Sequence, residues 1–289
     1  MIFDRLRRKL EWDGTEGRPR SANAASSLHL TWVVPAGEWV EVEAVLEILV
    51  PPTVPALSFW ALQASFSDRG RDGGAAHLGL QWHQSYPGST AVNWGGYAPG
   101  GLELDGSPSS LPSTPGNVNT RDFEWVGARP YRLRIAPGES SPPPGLHAWR
   151  GEITDLTTGV VTVVRDLWST GTRLTAPVVW SEVFARCDDP SAAVRWSALR
   201  LLDDDGTRHD VAEVAVNYQR VGDGGCITTD AQADTTGIVQ VTGTTRVTRQ
   251  GARLPVPSPF LRRWVPAFRH EAPQERWVAP VRPAWEAPG

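Results

Sequence analysis

Trp39-Val40-Glu41-Val42-Glu43-Ala44-Val45-Leu46-Glu47-Ile48-Leu49-Val50 decides the fold class of this chain. Its even positions Val40, Val42, Ala44, Leu46, Ile48 and Val50 are apolar, while Glu41, Glu43 and Glu47 occupy odd ones. A repeat of two puts the apolar set on one side of an extended strand, and no helix gives that period. Working outward, comparable runs occur at 57–66, 77–84, 91–94, 131–135, 146–156, 160–168, 178–186, 194–202, 211–218 and 237–247. Turn-forming stretches such as Asp68-Arg69-Gly70-Arg71-Asp72-Gly73-Gly74 and Asp203-Asp204-Asp205-Gly206 separate them, with glycine where positive φ is needed. Helical patterns of 10 to 15 residues do not alternate with these runs, which argues against a parallel α/β sheet. The expectation is an all-β protein, an antiparallel β-sandwich over 28–254. A basic segment, 1–27, precedes it, with a turn or two of helix near 4–10, and a Pro/Trp-rich extended arm, 255–289, follows.

Composition supports that division. The 28 Gly and 25 Pro among 289 residues describe a loop-rich chain and exclude a helical bundle. The arm contains Trp264, Trp277 and Trp285, and its prolines exclude a helix or a central strand. Such an arm suits docking on a surface, which makes homo-oligomer formation a possible role. The long segments 97–119 and 136–145 lack periodicity and read as rim loops. A net charge of -4 leaves no basic surplus for phosphates, so nucleic acid is not the expected main partner. Lys9 is the one lysine, a bias that fits a GC-rich bacterial genome. The opening residues have a basic start but no apolar stretch behind it, and no run is long enough to span a membrane; a cytoplasmic location is expected. In that setting Cys187 and Cys226 are read as reduced thiols, although they could approach one another at adjacent strand ends, and a bridge would move the location outside the cell.

Certain motifs come in a suggestive order: His77-Leu78-Gly79-Leu80-Gln81-Trp82, Val92-Asn93-Trp94, the run 125–135 ending in Tyr-Arg-Leu-Arg-Ile, Trp149-Arg150-Gly151-Glu152-Ile153-Thr154-Asp155, and Val179-Trp180-Ser181-Glu182-Val183-Phe184-Ala185-Arg186. The succession, within about 57–201, resembles the bacterial domain-of-unknown-function family three-four-seven-two. That resemblance implies a concanavalin-like sandwich of jelly-roll type, of the lectin and glucanase kind, and the company of carbohydrate-active modules. The family brings no established activity with it.

Strand parity picks out candidate residues. In 77–84, Leu78, Leu80 and Trp82 share one side, and His77, Gln81 and His83 the other. Amides and carboxylates bind sugar hydroxyls while aromatic rings stack on sugar faces. Gln63, Gln81, Asn93, Trp94 and Trp180 are therefore candidate ligand-binding residues, with His83 and Glu182 as candidate acid–base residues. The plainer reading leaves the histidines solvated and the tryptophans in the core. Glu182 stands out because it interrupts an apolar strand, where a carboxylate is either paired, with Arg186 or Arg195, or functional. Two-carboxylate glycosidase chemistry needs a second acid about 5 to 9.5 Å away. Glu41-Val42-Glu43 is the nearest acidic motif, and its alternation turns both glutamates to solvent.

Nucleophile elbows, phosphate loops, dinucleotide fingerprints and zincin helices are absent from the sequence. No cofactor or metal is expected, calcium at Asp68 and Asp72 or at 203–205 being the weak exception. The leading functional expectation is a lectin-like module for a glycan or other small polar ligand. A Glu182-dependent enzyme and an assembly protein using the arm are the alternatives.

Overall fold

A computed structural model describes residues 12–114 and 117–257. In chain order the strands are β1 Ser26–Trp32, β2 Glu41–Val50, β3 Ser58–Asp68, β4 Arg71–Trp82, β5 Thr90–Tyr97, β6 Thr120–Asp122, β7 Pro130–Pro137 and β8 His147–Asp155. They continue as β9 Val161–Ser169, β10 Arg173–Val183, β11 Ala193–Leu202, β12 Arg208–Asp210, β13 Glu213–Tyr218, β14 Thr229–Ala233, β15 Ile238–Thr242 and β16 Arg253–Pro255. Every pairing is antiparallel. The first sheet runs β16-β13-β1-β10-β3-β4-β5-β6, and the second runs β14-β15-β11-β2-β7-β8-β9 with β12 paired to β11. Together they form the expected all-β sandwich. No helix of the described residues is long and apolar enough to cross a membrane. The helical turn near 4–10 and the arm with Trp264, Trp277 and Trp285 lie outside the described residues; Pro255, where the arm was expected to begin, closes β16.

The opening motif behaves as its period dictates. Val42, Ala44, Leu46 and Ile48 are fully buried between the sheets with Trp60, Trp94, Trp149 and Trp196. A fully buried tryptophan removes roughly 200 Å² from water, an upper bound of about 5 kcal/mol each. Of these rings, Trp149 Nε1 donates to the Gly171 carbonyl and Trp196 Nε1 to Gln240, whereas Trp94 Nε1 has no partner among the described residues.

Glu41 and Glu43 do not face open solvent as expected. Both are buried on the outer side of the second sheet because arginines on the adjoining strands fold over them. Arg134 from β7 bonds Glu41, and Arg200 from β11 bonds Glu43 at 3.1 Å. Neighbouring Arg195 pairs with Glu47 and Asp234, so this side is a checkerboard of compensated charge.

The two cysteines are bridged, contrary to the expectation of free thiols: Cys187 and Cys226 form a disulfide with Cα atoms 5.4 Å apart. The loop after β10 and the loop before β14 converge because one N-terminal segment bonds to both. Cys187 N–H donates to the Gly17 carbonyl, and Cys226 N–H donates to Ser26 Oγ.

Candidate functional site

On the outer side of the first sheet, register aligns residues in rows across the strands. One row reads Ser27, Glu182, Phe59, Gln81, Ala91 and Asp122. The next reads Asn217, His29, Trp180, Ala61, Gly79, Asn93 and Thr120. A third carries Val178, Gln63 and His77. The structure thus places Gln63, Gln81, Asn93, Trp180 and Glu182 on one sheet face. A bulge between Thr175 and Val178, with Ala176 at φ 47°, bends β10 just before Trp180 and Glu182. Bulges of this kind re-aim the side chains that follow.

Small residues shape the middle of this face. At Gly79 a Cβ would lie 2.0 Å from the Trp60 carbonyl oxygen, so no larger residue fits. Above Ala61 and Gly79 the rings of Phe59, His77 and Trp180 meet edge to face, with centroids 4.9 to 5.7 Å apart. Trp180 is only 6% exposed and donates Nε1 to Gln63 Oε1 at 3.1 Å. Burial lowers His77 to about 4, partly offset by the Asn93 carboxamide, so its ring is neutral at neutral pH.

Beside the rings lies a relay of amides and hydroxyls. Asn93 Nδ2 donates to Thr120 Oγ1 at 2.9 Å, Thr120 Oγ1 donates to Gln81 Oε1 at 3.2 Å, and Tyr86 OH donates to the same oxygen at 3.1 Å. With its oxygen doubly taken, Gln81 is oriented so that Nε2 is its free donor; no bond among the described residues engages it. Asn93 is 3% exposed, and its carboxamide lies beside the His77 ring, which it favours in the protonated form.

Glu182 sits half-buried at the other end of the first row. Neither Arg186 nor Arg195, the partners expected from sequence, reaches it, since they pair with Asp188 and with Glu47 and Asp234. Instead Asn23 Nδ2 donates to Glu182 Oε1 at 2.8 Å and Ser27 Oγ donates to the same oxygen at 3.4 Å. Oε2 has no hydrogen bond among the described residues. Asn23, which parity could not reach because it precedes the first strand, is the site residue that sequence reasoning missed. Thr120 and Tyr86 were missed for the same reason, lying in a three-residue strand and a turn.

Two predicted residues are elsewhere. Trp94 points into the core and is fully buried, over Gly151, where a Cβ would lie 2.6 Å from its ring. Its parity with Val92 explains why it cannot contact a ligand on the outer side. His83 leaves the strand after Trp82: the turn containing Pro87-Gly88 closes with His83 N–H donating to the Ser89 carbonyl, and its ring bonds Ser85 Oγ at 2.6 Å. Segment 97–119, read as a rim loop, has its middle paired along β9, with Gly106 opposite Leu167.

Two hollows lie away from this face. One of 380 Å³ over the second sheet is lined by Glu47, Arg195 and Ser197, and one of 730 Å³ is lined by Glu16, Cys187, Asp188 and Arg246. Their charged groups are largely engaged, whereas the outer face of the first sheet offers Gln81 Nε2 and Glu182 Oε2 without partners among the described residues; hydrogen-bonding capacity, not volume, selects the candidate site. Among the described residues no three His, Cys, Asp or Glu side chains are placed to hold a metal ion. Asp68 bonds Arg71, and Asp203 and Asp205 accept the Thr207 N–H, so the turns proposed for calcium satisfy their own carboxylates.

No family model matches the chain, and no curated protein matches it in sequence. The resemblance to the unknown-function family therefore rests on its short motifs alone. Among solved structures the chain is similar to scytalido-glutamic peptidase with a peptide-based transition-state analogue, at TM-score 0.38 and 10% identity over 79% of this chain and 99% of that one. It is similar to the same degree to SCP-B, a member of the eqolisin family of peptidases, in complex with the tripeptide Ala-Ile-His. Likeness at that distance assigns neither family nor site.

Proposed function

We propose that the outer side of the first sheet is a hydrolytic site for an acyl substrate, with Glu182 as the acid–base group and Gln81 as the donor to the substrate carbonyl. The observation that carries this reading is the complementary state of two side chains in one row. Glu182 has one oxygen held and the other unengaged, while the buried Gln81 has its oxygen held and its N–H₂ without a partner among the described residues. Two strand spacings, roughly 10 Å, separate their backbones, which two long side chains can span around a bound group. In the proposed reaction Oε2 of Glu182 takes a proton from water as the water oxygen attacks the carbonyl carbon. Gln81 Nε2–H stabilises the negative charge that develops on the carbonyl oxygen. The protonated Glu182 then gives its proton to the leaving group as the bond to the carbonyl carbon breaks.

Two features favour acyl over glycoside hydrolysis. Asp122, the other acid in the row, is four strand spacings or roughly 19 Å from Glu182, beyond the separation that glycosidase pairs use. Trp180 and Phe59 meet edge to face and are buried, so they offer no open ring face to a sugar. A binding role without turnover is the second reading, favoured by the neutral amide relay, which suits a hydroxyl-rich ligand.

Turnover of fluorogenic peptides and p-nitrophenyl acyl esters tests the first reading. Glu182→Gln should lower kcat by 10² to 10⁴ with an unchanged melting temperature, and Gln81→Ala should lower kcat by about 10² to 10³. Wild-type turnover in both variants sinks it. A thermal-shift screen of saccharides tests the second: a bound ligand at 100 times its Kd adds about 2.7 kcal/mol of stability.

A further inference from the structure

Residues 14–26 do not belong to either sheet until β1 begins, yet they are tied down at both ends of the disulfide. Gly17 N–H donates to Asp188 Oδ1, and its carbonyl accepts Cys187 N–H, on the Cys187 loop. On the Cys226 loop, Arg20 N–H donates to the Gly224 carbonyl, Ile227 N–H donates to the Gly14 carbonyl, and Cys226 N–H donates to Ser26 Oγ. Contact is so close that a Cβ on Gly224, at φ +84°, would lie 2.0 Å from Ser21 N. The segment therefore threads between two loops that the Cys187–Cys226 bond joins.

Its turn aims one side chain at Glu182. Asn23 Oδ1 faces Ser21 Oγ at 2.9 Å, a hydroxyl that also meets the Ala25 carbonyl at 2.6 Å, and lies 3.3 Å from Ala25 N–H, while Nδ2 donates to Glu182 Oε1. Ala24, next in the chain, has φ 60°. Strained backbone of this sort persists where surrounding bonds over-determine it and is enriched at functional sites. Asn23 is solvent-exposed, so without these contacts its side chain would rotate freely; with them it arrives already oriented.

We infer that residues 14–26 are a strap in which Asn23 is a positioning residue for the Glu182 carboxylate, and that the Cys187–Cys226 bond keeps the strap seated. Holding Oε1 leaves Oε2 as the oxygen without a partner among the described residues. The inference deepens the proposed hydrolytic role of Glu182 and rests on it for its purpose, but not for its measurement.

The test uses the full chain labelled with ¹³C at glutamate Cδ, the Glu182 signal being assigned by its loss in Glu182→Gln. Asn23→Ala should move the Glu182 signal at neutral pH and leave the other glutamate signals in place. Cys187→Ser with Cys226→Ser touches neither Asn23 nor Glu182, and should move the same signal in the same direction while exchange of the Gly17 and Ala25 amides accelerates. Should the double variant fail to fold, Gly224→Ala displaces the strap with the disulfide intact and should give the same shift. A Glu182 signal unmoved by Asn23→Ala overturns the positioning role. One that moves with Asn23→Ala but with neither of the remote variants overturns the seating role of the bridge. Turnover surviving Glu182→Gln would instead end the hydrolytic reading and leave these spectroscopic results standing.

Discussion

His77 shows how one side chain on the sheet face sets an acid limit on the fold. Its pKa is pushed down to about 4 by burial against Phe59 and Trp180, against roughly 6.5 for an unfolded chain. Between those values the unfolded state binds the proton and the folded state does not, so stability is complete above about 6.5 and is lost as pH falls toward 4. Burial lowers His29 in the same direction. For His77 the loss should be about 2 kcal/mol, below what the full shift implies because the ring is not wholly out of water. Melting curves from pH 7 to 4 should therefore show a steeper fall for the wild type than for His77→Phe, which keeps a ring and cannot protonate; parallel curves would contradict this. At this scale the sequence was legible where alternation applied. His77 and Gln81 were assigned to the side opposite Leu78 and Leu80, and they lie there. Trp94 was misassigned although its parity with Val92 marked it as core. The role of Asn23 was invisible because it depends on a turn and on contacts 159 residues away.

Strand β2 presents a different question: what a strand does with three glutamates on one side. The structure answers with arginines from β7 and β11, and the result is buried ion pairs rather than a solvated face. Breaking such a pair leaves a charge without compensation and typically costs about 3 to 5 kcal/mol, whereas exposed pairs contribute about 0 to 1. Glu43 is 4% exposed and lies between Arg200 and Arg132. Arg173 and Asp204 form an exposed pair at 2.8 Å. Urea unfolding should therefore give a loss near 3 kcal/mol for Glu43→Ala and less than about 1 kcal/mol for Asp204→Ala. Equal losses would mean that the buried network carries no more than the surface pair. Period-two alternation located the long strands, including β2, β3, β8 and β11, because each buries one face along its whole length. It could not locate β6, β12, β14 or β16: three to five residues give too few repeats to register a period, and their pairing comes from neighbours distant in sequence. Nor could it anticipate the arginine cover over Glu41 and Glu43, since alternation says which side a residue takes and nothing about what crosses over it.

For the whole molecule, the disulfide matters most, because it joins the end of the site-bearing strand β10 to the approach to β14. Its cysteines are 39 residues apart in sequence. On the loop-entropy account, a crosslink closing a loop of that size stabilises by about 4 kcal/mol, chiefly by restricting the unfolded chain. A bridge of this kind persists in oxidising compartments and is rare in reducing ones. We therefore propose that the folded protein works in an oxidising compartment rather than the cytoplasm first expected. Thiol titration of oxidatively produced protein, denatured without reductant, should return no free thiol. Reduction, which delivers two electrons and two protons from an added dithiol to the paired sulfurs, should lower the unfolding free energy by roughly 3 to 4 kcal/mol and the melting temperature by about 10 °C. The sandwich core does not include either sulfur, so the reduced protein should keep its far-ultraviolet β signature below its new midpoint. Two free thiols in the oxidised preparation would remove the bridge and the compartment proposal together. A bridge whose reduction leaves the midpoint unchanged would show that loops 184–190 and 220–228 are held by their hydrogen bonds alone.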